Sequence, residues 1–272
     1  IEIVRYNPLS KKNDDIIITD SYMIPIRIFM PDGNEPSKII IFYHGGGFVT
    51  GSVNAYNKIC QKITNKTNAL VIAIDYRLAP EYPFPIGLND CYEATKELYK
   101  LLKKAGVRSK DIILMGDSAG GNMAAVISIM ARDKKDFKVH KQILLYPLVD
   151  TNHSENSPYP SVYINGKDFI LTRKRIQQYL KLYLPNEKDW TNPLAAPILA
   201  KLDHQPKSLI ITAEFDPLRD EGYAYSEKLK FFRNNVVYYE MKDSIHGFIS
   251  LNVNSKISKK TFSLINEFIG KK

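Results

Sequence analysis

Short apolar runs of strand length alternate with helical segments along most of this 272-residue chain. Several of the runs, such as KIIIFY and LVIAID, are continuous and rich in β-branched residues. Such runs suit strands that are buried on both faces of a parallel sheet, because helices then cover both sides. The alternation therefore predicts an α/β fold with a mostly parallel, doubly wound sheet.

Eight strands and four long helices are predicted from this pattern. The strands are 16–18, 24–30, 39–43, 70–74, 112–115, 142–146, 209–212 and 236–241. The helices are 88–106, 119–133, 217–232 and 255–270. The first two strands flank Asp20 and Ser21, so we expect them to form an antiparallel pair at one edge of the sheet.

Residues 151–206 interrupt the alternation. They hold six of the fifteen prolines and the only tryptophan, Trp190. Within them, residues 172–184 form an amphipathic helix pattern with Ile176 and Leu180 on its apolar face. We expect a single domain, 1–272, in which 151–206 is an inserted cap over the carboxyl ends of the strands, where open α/β sheets bind ligands.

Composition narrows the class of protein. The net charge is +9, but the lysines are scattered rather than gathered with aromatic residues, which indicates a solvated surface and no nucleic-acid partner. The sequence has no apolar run of about 18 residues, so no membrane insertion is predicted. Cys60 and Cys91 do not make a disulfide framework, and the first fifteen residues lack a signal-peptide core. We therefore expect reduced thiols, a cytoplasmic location, and neither a metal nor a cofactor.

The stretch GDSAG places Ser118 between Gly116 and Gly120, after a predicted strand and before an apolar helix. A nucleophilic serine on a sharp strand-to-helix turn has this pattern, with glycines where strand and helix come closest. The start of a helix also favours developing negative charge. The alternative is that Ser118 is an N-cap residue, a common role for serine.

A second glycine-rich stretch ends the predicted strand 39–43 with His44, Gly45, Gly46 and Gly47. Acyl transfer builds negative charge on a carbonyl oxygen, and main-chain N–H groups can stabilise it. We expect Gly45, Gly46 and Ala119, the residue after the nucleophile, to form this oxyanion hole. A phosphate-binding loop is disfavoured because neither GxxxxGK[ST] nor GxGxxG is present, and a plain flexible loop is the other alternative.

A serine nucleophile needs a base and an orienting acid, which in this type of fold follow it in the order acid, then histidine. His246 follows the last predicted strand and suits the base, although an ordinary loop histidine is the alternative. Asp216 follows an apolar run and suits the acid, although an aspartate before Pro217 also resembles a helix start. Asp150 is the fallback acid, and Asp220 is a weaker candidate.

Five motifs occur in an order that identifies a family. They are YHGGGFVTGS, DYRLAPEYPFP, GDSAGGNMAA, TAEFDPLRDEG and HGF. Together they resemble the hormone-sensitive-lipase-like branch of the α/β hydrolases, the bacterial family IV carboxylesterases. The resemblance implies the α/β-hydrolase fold, the same catalytic and oxyanion residues, and a cap. We also hypothesise an ion pair between Arg77 and Glu81 in the second motif.

The expected function is hydrolysis of short-chain acyl esters, small molecules, through an acyl-enzyme intermediate. An amidase or formamidase with the same triad is the nearest alternative. A small-ligand receptor on this fold, like the plant gibberellin receptor that lacks the base, is another. By analogy with relatives, strand 236–241 and the final helix offer an edge for a homodimer.

Overall fold

The structure, a computed structural model, describes residues 12–19, 22–32 and 35–270. Eight strands form one sheet in the order β1-β2-β4-β3-β5-β6-β7-β8. The strands are β1 (Lys12–Ile18), β2 (Met23–Phe29), β3 (Lys38–Tyr43), β4 (Ala69–Ile74), β5 (Ile112–Asp117), β6 (Lys141–Leu145), β7 (Lys207–Phe215) and β8 (Val236–Ile245). Strands β1 and β2 are antiparallel to their neighbours, and the remaining strands are parallel.

Helices cover both faces of this sheet. They are α1 (Asn57–Thr67), α2 (Ile86–Lys104), α3 (Ala119–Lys134), α4 (Pro160–Ile164), α5 (Arg173–Tyr183), α6 (Arg219–Phe231), α7 (Phe248–Leu251) and α8 (Lys256–Gly270). No helix within the described ranges has the length and apolar character that a membrane span requires. The predicted doubly wound α/β fold, with an antiparallel pair at one edge, is confirmed.

All eight predicted strands are present, and five predicted helices, including the one in the insertion, end within two residues of the prediction. Strand β8 continues four residues beyond the predicted end because the polar stretch that ends it gave no strand signal. Asp20 and Ser21 lie outside the described residues, and so do residues 1–11 of the fifteen that were expected to lack a signal-peptide core.

The sheet is buried on both faces by two apolar clusters. Successive residues of β5 alternate between them, with Ile113 and Met115 in one and Ile112 and Leu114 in the other. Helices α2 and α3 pack in the cluster that holds Leu114, and α1 and α8 pack in the other. Because every strand residue here finds apolar neighbours, the runs are continuous rather than alternating.

The insertion between β6 and β7 packs on the sheet rather than apart from it. Residues Ile176, Leu180 and Tyr183 of α5 are buried, which confirms the predicted apolar face of this helix. The ring of Tyr183 stacks on Phe48, with centroids 3.9 Å apart. This contact sets α5 beside the glycine-rich stretch that follows β3.

The hypothesised ion pair between Arg77 and Glu81 is wrong. Arg77 instead binds Asp90 on α2 with two hydrogen bonds, from Nη2 to Oδ1 at 2.6 Å and from Nε to Oδ2 at 2.8 Å. Asp90 is buried, whereas Glu81 is exposed. A planar guanidinium prefers such a two-pronged carboxylate contact, and the helix α2 presents one.

Candidate active site

Ser118 occupies a strained turn between β5 and α3. Its φ is +53° and its ψ is −118°, outside the usual regions for a residue with a side chain. A Cβ on Gly116 would lie 2.1 Å from the carbonyl oxygen of Gly120, and a Cβ on Gly120 would lie 2.0 Å from that of Tyr43. Only glycines therefore permit the close approach of strand and helix that holds Ser118 in this turn.

Hydrogen bonds join the three side chains that the sequence singled out as nucleophile, base and acid. The Ser118 Oγ lies 2.9 Å from Nε2 of His246, and Nδ1 of His246 lies 2.7 Å from Oδ2 of Asp216. The Ser118 side chain makes no capping hydrogen bond to α3, which removes the N-cap alternative. His246 follows β8 directly and Asp216 follows β7, so neighbouring parallel strands bring the two together.

The carboxylate of Asp216 is buried, and it contacts both the histidine and the start of a helix, the two roles that its position in the sequence indicated. One oxygen, Oδ2, faces His246, while Oδ1 accepts a hydrogen bond from the amide of Leu218 at the start of α6. The other candidate acids lie elsewhere. Asp150 accepts from the hydroxyl of Tyr159, and Asp220 accepts from the amide of Ser161.

The structure corrects the expected set of oxyanion donors at Gly45. The N–H of Gly45 donates to Oδ1 of Asp117 at 2.8 Å, with the hydroxyl oxygen of Tyr56 also 3.1 Å away. An amide has one hydrogen, so Gly45 cannot also serve a substrate. Among the residues that the structure describes, none accepts a hydrogen bond from the amide of Gly46, Gly47 or Ala119.

Asp117 is the centre of a buried hydrogen-bond network next to Ser118. Besides Gly45, it accepts hydrogen bonds at Oδ2 from the hydroxyls of Tyr56 at 2.9 Å and Tyr146 at 3.4 Å. Burial raises the pKa of the Asp117 carboxyl to about 6, although these hydrogen bonds oppose the rise. The edge of the Tyr146 ring also meets His246, with centroids 4.9 Å apart. Sequence reasoning missed both tyrosines, because only the folded chain brings them to the site.

A second buried pair anchors the start of the insertion. His153 Nε2 and Glu221 Oε2 are 2.5 Å apart, and both side chains are fully buried. The other carboxylate oxygen of Glu221 accepts from the amides of Val149 and Asp150. Burial alone lowers the pKa of His153, but the Glu221 carboxylate raises it overall. The insertion is therefore fastened to the helix that follows Asp216.

Above Ser118 lies a cavity of about 210 Å³. Its walls are mostly apolar, and the insertion supplies one side of it with residues from the loop before α5 and from α5 itself. The insertion residues in this wall are Ile170, Leu171, Arg175, Ile176, Tyr179 and Leu180. Gly46 and Gly47 also line the cavity, whereas Gly45 does not, in keeping with the hydrogen bond that Gly45 makes to Asp117.

Comparison with known proteins identifies the family. Residues 40–250 match a family model described as the alpha/beta hydrolase fold. The chain belongs to the α/β-hydrolase family, in its hormone-sensitive-lipase-like branch. This confirms the resemblance that the five motifs indicated.

Relatives of this α/β hydrolase span most of its length. An arylesterase of Saccharolobus solfataricus is 32% identical over 244 residues, which cover 89% of this chain and 78% of that protein. The carboxylic ester hydrolase LipN of Mycobacterium tuberculosis is 34% identical over 84% of this chain and 61% of its own. A hyperthermophilic esterase from the archaeon Pyrobaculum calidifontis superposes with a TM-score of 0.89 and 37% identity, covering 96% of this chain and 83% of that one.

Proposed function

We propose that this α/β hydrolase is a serine carboxylesterase that cleaves short-chain acyl esters. One observation carries the proposal, the unbroken hydrogen-bond chain from Ser118 through His246 to Asp216. A hydroxyl next to a base that is itself held by a carboxylate is the arrangement that activates a serine for attack on a carbonyl. Family relatives that are named esterases support an ester rather than another acyl compound.

The reaction begins when Nε2 of His246 takes the hydroxyl proton as Ser118 Oγ attacks the ester carbonyl. The carbonyl π electrons move to oxygen, and the resulting oxyanion accepts hydrogen bonds from the amides of Gly46, Gly47 and Ala119. His246 then returns the proton to the leaving alcohol as the carbon–oxygen bond breaks, which leaves an acyl-serine. A water molecule repeats the sequence and releases the carboxylic acid.

Asp216 orients the base and stabilises it. With Oδ2 fixed 2.7 Å from Nδ1, the carboxylate holds the tautomer of His246 whose Nε2 is free to accept a proton. When the imidazolium forms, the buried negative charge of Asp216 stabilises it. The hydrogen bond from the amide of Leu218 to Oδ1 keeps the carboxylate in this orientation.

The size of the cavity supports a short acyl chain. Its volume of about 210 Å³ is below the roughly 300–1,000 Å³ that is typical of sites for drug-sized ligands. The apolar wall from the insertion suits hydrocarbon. We therefore propose that residues 151–206 act as a cap that selects substrate size.

The proposal is tested with 4-nitrophenyl esters from acetate to decanoate. We expect the wild type to favour the short esters and Ser118→Ala to lose at least about a thousand-fold in kcat, because removal of a triad nucleophile has an effect of this size or larger. Ser128→Ala, a buried serine of the same helix α3 that lies outside the cavity, is the matched control and should keep its activity.

Two further measurements separate the alternatives. An organophosphate should label Ser118, as seen by peptide mass spectrometry, and no label would favour a receptor. A matched pair of 4-nitrophenyl butyrate and butyric 4-nitroanilide should be cleaved with a strong preference for the ester. Faster cleavage of the anilide than of the ester would show that the protein is an amidase rather than an esterase.

A further inference from the structure

One cation lines the otherwise mostly apolar cavity. Arg175 lies on the first turn of α5, and its Nη1 donates one hydrogen bond to the carbonyl oxygen of Ile170 at 3.3 Å. Within the described ranges, no carboxylate lies within 4.0 Å of its guanidinium. Two residues earlier, Arg173 differs, because it pairs with Glu155 at 3.8 Å and does not line the cavity.

Neither Asp117 nor His246, which also line the cavity, offers a ligand a permanent positive charge with unengaged N–H donors. Asp117 is buried, and both of its oxygens accept hydrogen bonds from the protein. His246 is engaged on both ring nitrogens by Ser118 and Asp216. Arg175 is thus the permanent cation of the described cavity wall, and because it is exposed, most of its five N–H donors can exchange water for a ligand.

The helix α5 connects Arg175 with the glycine-rich loop, and both line the cavity that holds Ser118. Arg175 and Tyr179 are four residues apart, so they share a face with about 5–6 Å between their Cβ atoms. The Tyr179 ring rests against the oxyanion loop, since a Cβ on Gly47 would lie 2.3 Å from its Cδ2. Arg175 is therefore one helical turn from the residue whose ring lies against Gly47, and its guanidinium lines the same cavity as Ile176 and Leu180.

We propose that this hydrolase prefers esters that carry a carboxylate a few bonds from the ester group, with Arg175 as the residue that binds the carboxylate. The inference rests on the proposed esterase function. A planar guanidinium binds a carboxylate with two parallel charge-assisted hydrogen bonds, while the apolar wall contacts the hydrocarbon between the two groups. Half-esters of short dicarboxylic acids have this chemistry, and so do acyl esters of hydroxy acids.

The test compares charged and neutral esters of the same shape. For a carboxylate in the acyl part, 4-nitrophenyl hydrogen glutarate is compared with its methyl ester. For a carboxylate in the alcohol part, 4-carboxyphenyl acetate is compared with its methyl ester. The readout is the ratio of kcat/KM between the charged and the neutral member of each pair, and the pair that responds shows which part of the substrate carries the carboxylate.

We expect Arg175→Gln to lower this ratio about ten-fold in one of the pairs, the low end of the effect of a hydrogen bond to a charged group. Arg175→Lys should recover part of it, because the charge remains but the two-pronged geometry is lost. Added salt should lower the ratio of the wild type. Arg173→Gln is the matched control on the same helix and should leave both ratios as they are.

An unchanged ratio for Arg175→Gln in both pairs, with the helical circular dichroism intact, would overturn the inference. That result differs from failure of the esterase function itself. If the latter failed, the wild type would not hydrolyse the neutral esters, or Ser118→Ala would hydrolyse them equally well.

Discussion

Asp117, next to Ser118, joins two parts of the candidate site through its hydrogen bonds. Its Oδ1 accepts from the amide of Gly45, and its Oδ2 accepts from the hydroxyls of Tyr56 and Tyr146. The carboxylate therefore connects the strand end that carries Ser118 with the loop that carries the free glycine amides. Because the carboxyl is fully buried, its charged form loses the solvation of water, and the pKa of Asp117 rises from 3.8 to about 6.

This raised pKa gives Asp117 a defined effect on stability. Between pH 3.8 and about 6, the folded chain holds the Asp117 proton more tightly than the unfolded chain does. The contribution of the protonated carboxyl is thus complete below pH 3.8 and is lost as the pH rises through about 6. A rise of about two pKa units corresponds to about 3 kcal/mol in the free energy of unfolding.

Asp117→Asn should remove this pH dependence, because the amide is neutral and can still accept from Gly45. We expect the free energy of unfolding of the wild type, relative to that of Asp117→Asn, to fall by about 2 kcal/mol between pH 4 and pH 8. Urea unfolding at several pH values measures it. Asp168→Asn, at an exposed carboxylate, is the control and should show a constant difference. If the difference in free energy of unfolding between the wild type and Asp117→Asn were also independent of pH, the raised pKa of Asp117 would be contradicted.

At the scale of elements, the loop after β3 is a tight turn that presents amides to the cavity. Gly46 has a φ of +120°, and its carbonyl oxygen accepts hydrogen bonds from the amides of Val49 and Thr50. A Cβ on Gly46 would lie 2.0 Å from the carbonyl oxygen of Thr50. An alanine here must open the turn and so displace the amides that we assign to the oxyanion hole.

We expect Gly46→Ala to lower kcat about 100-fold or more, the usual effect of losing one oxyanion donor, with a smaller change in KM. Steady-state kinetics on a short 4-nitrophenyl ester measures it. Gly106→Ala isolates the backbone strain, because Gly106 has a φ of +84° but open space around it and precedes β5, whereas Ser118 follows the opposite end of that strand. Equal activity of Gly46→Ala and Gly106→Ala would contradict the assignment of the loop after β3 to the oxyanion hole.

Most strands and helices were predictable from the sequence. Burial of the sheet on both faces selects continuous runs of β-branched residues, and few segments outside the strands have such runs. The longest helix that was not predicted is α1, whose sequence NKICQKITNKT is rich in asparagine and threonine and carries few apolar residues. Such residues compete with the helix for backbone hydrogen bonds, so the helical signal was weak. Packing of Ile59, Cys60 and Ile63 on the sheet stabilises α1 instead.

Predictions of partners were less secure than predictions of elements. Asp216 and His246 were singled out from chain order, because each was expected to follow a strand of the sheet, and a hydrogen bond joins them in the structure. The choice of Gly45 as a donor and of Glu81 as the partner of Arg77 failed, since both depended on which way a group points. Adjacent glycines look identical in sequence, and only the position of Asp117 shows that the first one is already engaged.

At the scale of the whole molecule, the insertion and the sheet share one apolar core. Ile176 and Leu180 of α5 belong to the same cluster as Leu114 of the central strand β5. The buried pair of His153 and Glu221 also links the insertion to α6. Separating the two residues is unfavourable, because it leaves a buried charge without its partner. These contacts predict that residues 151–206 separate from the sheet only when the sheet also loses its packing.

The only tryptophan, Trp190, makes this testable, because it lies in the insertion and packs against the shared core. Its Nε1 donates to the carbonyl oxygen of Leu184 at 3.0 Å, so its fluorescence reports the insertion, whereas far-ultraviolet circular dichroism reports the whole fold. In a urea titration we expect both signals to change with the same midpoint and slope, as a single cooperative unit requires. A fluorescence transition at lower urea, with the circular dichroism still native, would mean that residues 151–206 unfold as a separate unit and that the shared core does not hold them closed.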